Sequence, residues 1–360
     1  MIWKNKEPPQ MPSMSLSKEQ KQMKINLLST PVIQFDMSQQ NEVNTLVSSY
    51  KNSSFQARNL GEASDLYLSK SHEDLSIIWS LSGSLFGAGM HKITVDAIKN
   101  NLVDVIVCTG ALIEQDMLFA LGHTHYKCTP HLNDGDLQSL GIDRVYDHLV
   151  DEMAMQQIDL TFKQIADDLP PGRYSSRTFL QNVGKWLSEC NNDYDSILQT
   201  AYEKNLPIFS PALNDSSVGI GLVLHQDGRH LSDSLGIDSI LDFKELANLK
   251  ASCGDTGLFI VGGGTPKNYS QDAVVMSEML GNEPKRHLFG IQLSVADVRD
   301  GGLSGSTLQE AVSWGKNDVE IEDIMVWGEA SISLPLLVTY VYQARLENPR
   351  KAQHLTKNLD

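Results

Sequence analysis

Cysteine is scarce and never paired along the chain. Cys108, Cys128, Cys190 and Cys253 are widely spaced and form no CxxC, which matches neither a disulfide framework nor a zinc ribbon and points to a reducing compartment. Long apolar runs are missing too. The most hydrophobic stretches, Asp104 to Ile113 and the later SISLPLLVTYVY, fall short of the roughly 20 apolar residues that a bilayer span needs, so no transmembrane helix is expected. The opening MIWKNKEPPQ places lysine and proline where a secretory leader has its apolar centre, and a cytoplasmic location is expected. Basic charge is in deficit: 29 Lys and Arg stand against 45 Asp and Glu, for a formal charge of −16. With no basic patch to override it, that balance excludes nucleic acid and anionic membranes as expected partners and is compatible with cationic ones such as amines.

What is present is a chain of 360 residues, 41% hydrophobic, long enough for a large core. Residues 1–30 read as a tail and residues 31–360 as one large domain. From about Ser76 an alternation sets in: IIWSLS as a strand, GSLFGAGM as a glycine turn, HKITVDAIKNN as a helix and VDVIVCTG as a second strand. It returns later with strands in LPIFSPAL, GLFIVGGG, HLFGIQLS and IMVWGEA, and helices in FKELANLKAS, KNYSQDAVVMSEML and SLPLLVTYVYQARL. Buried strands alternating with helices predict an α/β fold, a Rossmann-like parallel sheet with helices on both faces. Ligands of such sheets sit beyond the carboxyl ends of the strands. The stretch from Leu121 to Cys190, including DHLVDEMAMQQIDLTFKQIADDL, reads as polar and largely helical.

Two glycine clusters follow strands: Gly83, Gly87 and Gly89 in LSGSLFGAGM, and Gly262, Gly263 and Gly264 in VGGGTP. Each reads as a tight turn or as a nucleotide cradle, since glycine lets backbone N–H groups approach a pyrophosphate at a helix N-terminus. In QEAVSWGKN, helical spacing would put Glu310 and Trp314 on one face, and Gly315 would deliver Lys316 beside them. A lysine walled by an indole can attack carbonyl or imine carbon; the alternative is a surface lysine after a turn. His123 and His125 in LGHTH alternate as on a strand, but lack further ligands at suitable spacing, and metal is set aside. In TGALIEQD, Glu114 reads as a ligand contact or as part of a helix cap.

Together these segments resemble the deoxyhypusine synthase family. NNLVDVIVCTGALIEQD, IFSPALNDSSVG, FIVGGGTPKN, LQEAVSWGKN and WGEASISLPLL carry the resemblance in order, from about Asn59 to Gln343, and EAVSWGK is the most specific of them. The resemblance implies a subunit, usually of a homotetramer, that binds NAD near subunit interfaces. It implies an enzyme that takes hydride from spermidine, holds the resulting butylimine on a lysine, transfers it to an acceptor amine and returns the hydride. By position the lysine is Lys316, with Glu310, Trp314, Glu114, Gln115, Asn268, Gly301, Gly302 and Leu303 on the amine side. The cofactor positions carry over as Gly83, Ser84, Gly87, Thr109, Gly110, Ala111, Asp215, Gly263, Val295, Ala296, Glu329 and Ala330.

The departures fall on the amine side. Gln115, Ile220 and Leu303 stand where the family has acids, Asn268 where it has histidine, and Glu329 where it usually has aspartate. A protonated amine against Ile220 or Leu303 would lose hydration without a counter-charge, a cost of several kcal/mol. The expectation is therefore an NAD-dependent aminoalkyl transferase with an altered donor or acceptor, a small amine or polyamine, the acceptor being a free amine or a protein lysine. A catalytically silent NAD-binding paralog and an amine dehydrogenase or hydrolase that releases an aldehyde are the competing expectations.

Overall fold

Strand β1 (Leu75–Leu81) is buried along its whole length, as a strand covered by helices on both faces must be. In the computed structural model, which describes residues 17–20, 22, 42–71, 74–190 and 194–359, it is preceded by helices α1 (Val43–Tyr50) and α2 (Phe55–Lys70) and followed by α3 (His91–Lys99), β2 (Val105–Cys108) and α4 (Gly110–Ala120). The middle of the chain supplies β3 (Tyr126–Lys127), α5 (Asp134–Ser139), β4 (Ile142–Val145), β5 (His148–Asp151), α6 (Glu152–Asp168), β6 (Gly172–Tyr174), α7 (Ser176–Glu189) and α8 (Ile197–Lys204). Then come β7 (Ile208–Phe209), α9 (Ser217–Gln226), β8 (Leu235–Ile237), α10 (Ser239–Ser252), β9 (Asp255–Val261), α11 (Gly264–Met279), β10 (His287–Ser294), β11 (Asn317–Trp327) and α12 (Ala330–Arg345).

Six strands form one sheet in the order β11-β10-β9-β1-β2-β7, and every neighbouring pair is parallel. The pleat divides the core into two layers. Ile77, Trp79 and Leu81 of β1, with Phe259 and Val261 of β9, face the larger one, which includes α2 and α12. Ile78, Leu258 and Ile260 face the smaller, with Leu246 and Leu249 of α10 and Ala273 of α11. Tyr67 on α2 ties the larger layer: its hydroxyl accepts from Trp79 Nε1 at 2.7 Å and its ring meets Phe259 edge-on at 5.3 Å. The fold is thus the α/β parallel sheet covered on both faces, in a single domain. Strand order reverses between β1 and β9, and the crevice at that reversal is where such sheets take ligands.

Several details differ from the sequence reading. Leu121 to Cys190 is not all helix: β3, β5 and β4 form a three-stranded antiparallel sheet, and His148–Asp151 pairs with β4 before α6 begins. Asp151 caps that helix by accepting from Met153 N at 2.9 Å. Ahead of the alternation that sets in near Ser76, α2 is already packed, with Leu60, Ala63, Leu66 and Tyr67 all buried. LPIFSPAL yields a strand of only two residues, β7, because prolines flank it on both sides. Strand β11 starts at Asn317, well ahead of IMVWGEA, with an irregularity opposite His287 to Phe289. Apart from 17–20 and 22, the expected tail of residues 1–30 lies outside the described residues. No helix among them is long and apolar enough to cross a membrane.

Candidate active site

Two glycine turns meet at the reversal point. The first leaves β1 with Gly83 at φ +86°, and the second leaves β9 with Gly262 at φ +79°. They are tied together, because Ser82 Oγ accepts from Gly263 N at 2.8 Å. A β-carbon on Gly262 would stand 2.4 Å from Ser82 Oγ and one on Gly263 2.6 Å from Ser304 Cα, so both positions need glycine. Ser304 Oγ in turn accepts from Gly264 N at 3.0 Å. Further along the same edge lie Thr109, Gly110 and Ala111 where α4 begins, Val295 and Ala296 after β10, and Glu329 and Ala330 where α12 begins. Thr109 Oγ1 is buried with no hydrogen-bond partner among the described residues. Helix N-termini along one edge, glycines with left-handed backbone and an orphaned hydroxyl suit an extended anionic ligand such as a dinucleotide. Asp215 lies exposed beyond β7, where it also follows the carboxyl end of a strand.

A second feature sits on the β9 to β11 side. Glu310–Val312 is a single 3-10 turn, and Gly315 at φ +73° reverses the chain so that Lys316 returns over the indole of Trp314, its Nζ 5.5 Å from the ring centroid. Lys316 Nζ donates to Asn268 Oδ1 at 2.7 Å and pairs with Asp272 Oδ1 at 2.8 Å. Asn268 Nδ2 closes the triangle by donating to Asp272 Oδ2 at 2.6 Å. The lysine side chain is only 13% exposed, which answers the alternative of a surface lysine. A cavity of about 380 Å³ opens beside it, lined by Asn268, Gln271, Asp272, Gly301, Leu303, Ser306, Glu310, Ala311, Trp314 and Lys316. Its wall joins a methylene-compatible surface (Leu303, Ala311, Trp314) to two carboxylates and one amine.

Behind this wall is a second lysine. Lys267 is fully buried, and its Nζ donates to Gln292 Oε1 at 3.0 Å, Leu303 O at 3.2 Å, Ser306 Oγ at 3.0 Å and Ser306 O. It pins the loop that carries Gly301 to Ser306 against the sheet. Burial pushes its ammonium down to about 8, with Glu310 opposing and the Lys316 charge adding to the shift. The folded chain therefore holds this proton less tightly than the unfolded one, and its contribution to stability rises as pH climbs from about 8 towards lysine's ordinary value. Lys267→Met should remove that rise and leave Gln292 Oε1 and Ser306 O without their donor. The expected cost near pH 7 is about 1–3 kcal/mol, read from urea unfolding of both proteins at pH 7 and pH 9.5.

The structure thus brings together Asn268, Gly301, Leu303, Glu310, Trp314 and Lys316, with Gly302 in the same loop, held by Asp300 Oδ1 accepting from its N–H at 2.6 Å. It does not bring Glu114 and Gln115 to that cavity. Glu114 Oε2 accepts from Ser217 N at 2.8 Å, and burial raises its carboxyl above the usual range. Gln115 is buried and braces the first glycine turn, accepting from Gly87 N at 3.0 Å and donating to Ser84 Oγ at 2.8 Å. Ile220 is exposed on α9 and lines no part of the Lys316 cavity. His123 and His125 share no strand: His123 meets Gln157, while His125 packs on His148 with centroids 4.9 Å apart. No group of three or more His, Cys, Asp or Glu among the described residues is placed to hold a metal. Sequence reading missed Asp272 and Lys267; the i, i+4 spacing of Asn268 and Asp272 on α11 was the available signal for the first.

Known proteins are similar to this chain in sequence and in fold. The family model for deoxyhypusine synthase matches residues 45–341. The chain is 41% identical over 345 residues to a deoxyhypusine synthase-like protein of Chlorobaculum tepidum, covering 95% of this chain and 98% of that one. It is 42% identical over 345 residues to one of Coxiella burnetii, covering 93% and 96%. A crystal structure of a "putative deoxyhypusine synthase" from Entamoeba histolytica superposes with a TM-score of 0.58 at 15% identity, over 90% of this chain and 99% of that one, a likeness of fold alone. With a parallel sheet reversing at two glycine turns, a half-buried lysine beneath an indole and a family match over most of its length, the chain belongs to the deoxyhypusine synthase family.

Proposed function

We propose that this chain is an NAD-dependent aminoalkyl transferase that forms an imine of an amine donor on Lys316 and passes it to an acceptor amine with no net redox change. The observation that carries the reading is Lys316 itself: an amine held in place by Asn268 and Asp272, roofed by Trp314 and opening into a cavity of about 380 Å³. An amine fixed at one end of a partly apolar cavity is placed to attack an electrophilic carbon. Bound NAD supplies the hydride acceptor and donor. Gly83, Ser84, Gly87, Thr109, Gly110, Ala111, Asp215, Gly263, Val295, Ala296, Glu329 and Ala330 would hold it along the sheet edge.

Glu310 faces the cavity as a counter-charge for a distal ammonium, while Leu303 and Trp314 suit the methylenes between two amino groups. The wall therefore favours a short diamine or a polyamine whose charges are few and spaced apart, in place of the acid-rich channel of the family. Glu114 and Gln115 lie away from the Lys316 cavity within one chain, and Trp314 and Val295 are 68% and 75% exposed. Both features support a homotetramer in which a neighbouring subunit's cofactor edge completes each Lys316 cavity. The competing reading, an NAD-binding paralog without turnover, is favoured by Leu303 standing in the cavity wall where the family has an acid.

Incubation with NAD and a panel of di- and polyamines, followed by mass analysis of the amines and absorbance of the cofactor, separates the readings. Transfer gives a new amine with almost no net reduced cofactor. Stoichiometric accumulation of reduced cofactor would indicate aldehyde release instead, and cofactor binding with neither signal would indicate the silent paralog.

A further inference from the structure

The Lys316 ammonium has three N–H groups, and two are spent on Asn268 Oδ1 and Asp272 Oδ1. A protonated imine on the same nitrogen has one. Once the imine forms, one of those two oxygens must lose its donor, and both lie against the cavity from which a second amine would arrive. The neutral amide can keep the single iminium N–H, whereas a carboxylate is the stronger acceptor for an incoming ammonium. Asp272 is also held for that task. Its Oδ2 is bonded to Asn268 Nδ2 at 2.6 Å, so Oδ1 keeps its aim when Lys316 is modified, and its side chain, 32% exposed, lines the cavity.

We propose that Asp272 is the catalytic acceptor-amine site: it binds the incoming ammonium beside the imine carbon and takes the proton whose loss frees the amine's lone pair for attack. This rests on the Lys316 imine reading above. In the step, the acceptor gives a proton to Asp272 and its lone pair forms a C–N bond to the imine carbon. The resulting diamine collapses as the bond from that carbon to Lys316 Nζ breaks. In all, two protons leave the acceptor nitrogen and two arrive on Nζ. Lys316 returns as an ammonium and the transferred group becomes the protonated imine of the acceptor, with no electrons gained or lost. The occupant of the Asp272 position is therefore a primary ammonium, and a neutral nucleophile gains little from it.

The test needs no cofactor and no identified donor. Butanal is loaded onto Lys316 of the full chain, and the imine is chased with 1,4-diaminobutane or with methoxyamine, which is uncharged at neutral pH. Aliquots are quenched with borohydride and the Lys316 peptide is quantified by mass. Asp272→Asn should still load butanal, should clear it with the diamine at least about tenfold more slowly than wild type, and should clear it with methoxyamine within roughly twofold. The methoxyamine arm shows that the variant is folded and its lysine accessible. Diamine clearance at the wild-type rate in Asp272→Asn overturns the proposal alone, as does an equal slowing with both nucleophiles. Absence of any Lys316 adduct in the wild type contradicts the imine reading and removes this proposal with it.

Discussion

Lys316→Ala is expected to abolish aminoalkyl transfer, lowering turnover by on the order of 10⁴-fold or more, the scale seen when a covalent nucleophile is removed. The loss comes from chemistry and not from collapse of the site. Lys316 lies on a turn whose backbone is held independently by Lys316 N donating to Ala311 O and Gly315 N to Val312 O, and its side chain reaches a cavity that tolerates truncation. Lys316→Arg sharpens the point. A guanidinium keeps the positive charge and can still bond Asp272 and Asn268, yet it forms no imine, so it should be as inactive as alanine. Cofactor affinity should change by less than about threefold in both variants, because within one chain the glycine turns and helix N-termini share no hydrogen-bond partner with Lys316. Steady-state product formation together with NAD titration checks both halves. Residual transfer in Lys316→Ala above about one per cent of wild type would mean that the lysine is not the covalent carrier.

Arg350→Met is expected to destabilise the fold by about 3–5 kcal/mol, the cost of stranding a buried charge. The Arg350 side chain is 0% and the Asp104 side chain 2% exposed. The pair is bidentate, with Nη1 to Oδ1 at 2.9 Å and Nη2 to Oδ2 at 2.6 Å. Arg350 also donates to Asn101 O at 2.8 Å and to Leu75 O, while Asp104 accepts from Ile77 N at 2.7 Å. The cluster thus pins the C-terminal segment to the start of the central strand. Asp104→Leu added to Arg350→Met should recover part of the loss, since it removes the stranded carboxylate while leaving the Ile77 N–H without its acceptor. Urea unfolding at one fixed protein concentration measures each variant. A single-variant loss below about 1 kcal/mol would show that the pair contributes little.

How much of this was legible follows from where each signal comes from. The strands β1, β9 and β10 announce themselves because burial on both faces demands an unbroken apolar run, and no surface helix has one. The small antiparallel sheet gives no such run. Ile142–Val145 alternates between half-buried and exposed residues, which in a sequence looks like a polar loop or a helix face. Helix α2 carried a readable pattern in Leu60, Ala63, Leu66 and Tyr67, but the polar residues between them dilute its amphipathic contrast. At the site, Gly315 and Trp314 were readable because a turn and an indole next to a lysine are local features. Asp272 was readable only as the i, i+4 neighbour of Asn268, since its meeting with Lys316 depends on α11 running back from the β9 turn to a lysine 44 positions later. The bracing of the first glycine turn by Gln115 was hidden for a related reason: its side chain meets Gly87 and Ser84 through a contact that no spacing in the sequence reveals.

Imine catalysis is tested most directly by locating the covalent adduct. The purified protein is incubated with NAD and the amine panel, quenched with borohydride, digested and mapped by mass. Imine catalysis at this site predicts one stable mass increase, dependent on NAD, on the peptide containing Lys316 and absent from Lys316→Arg. The size of that increase gives the transferred group. An adduct on another lysine, Lys267 included, or amine turnover with no trapped adduct at all, would contradict it.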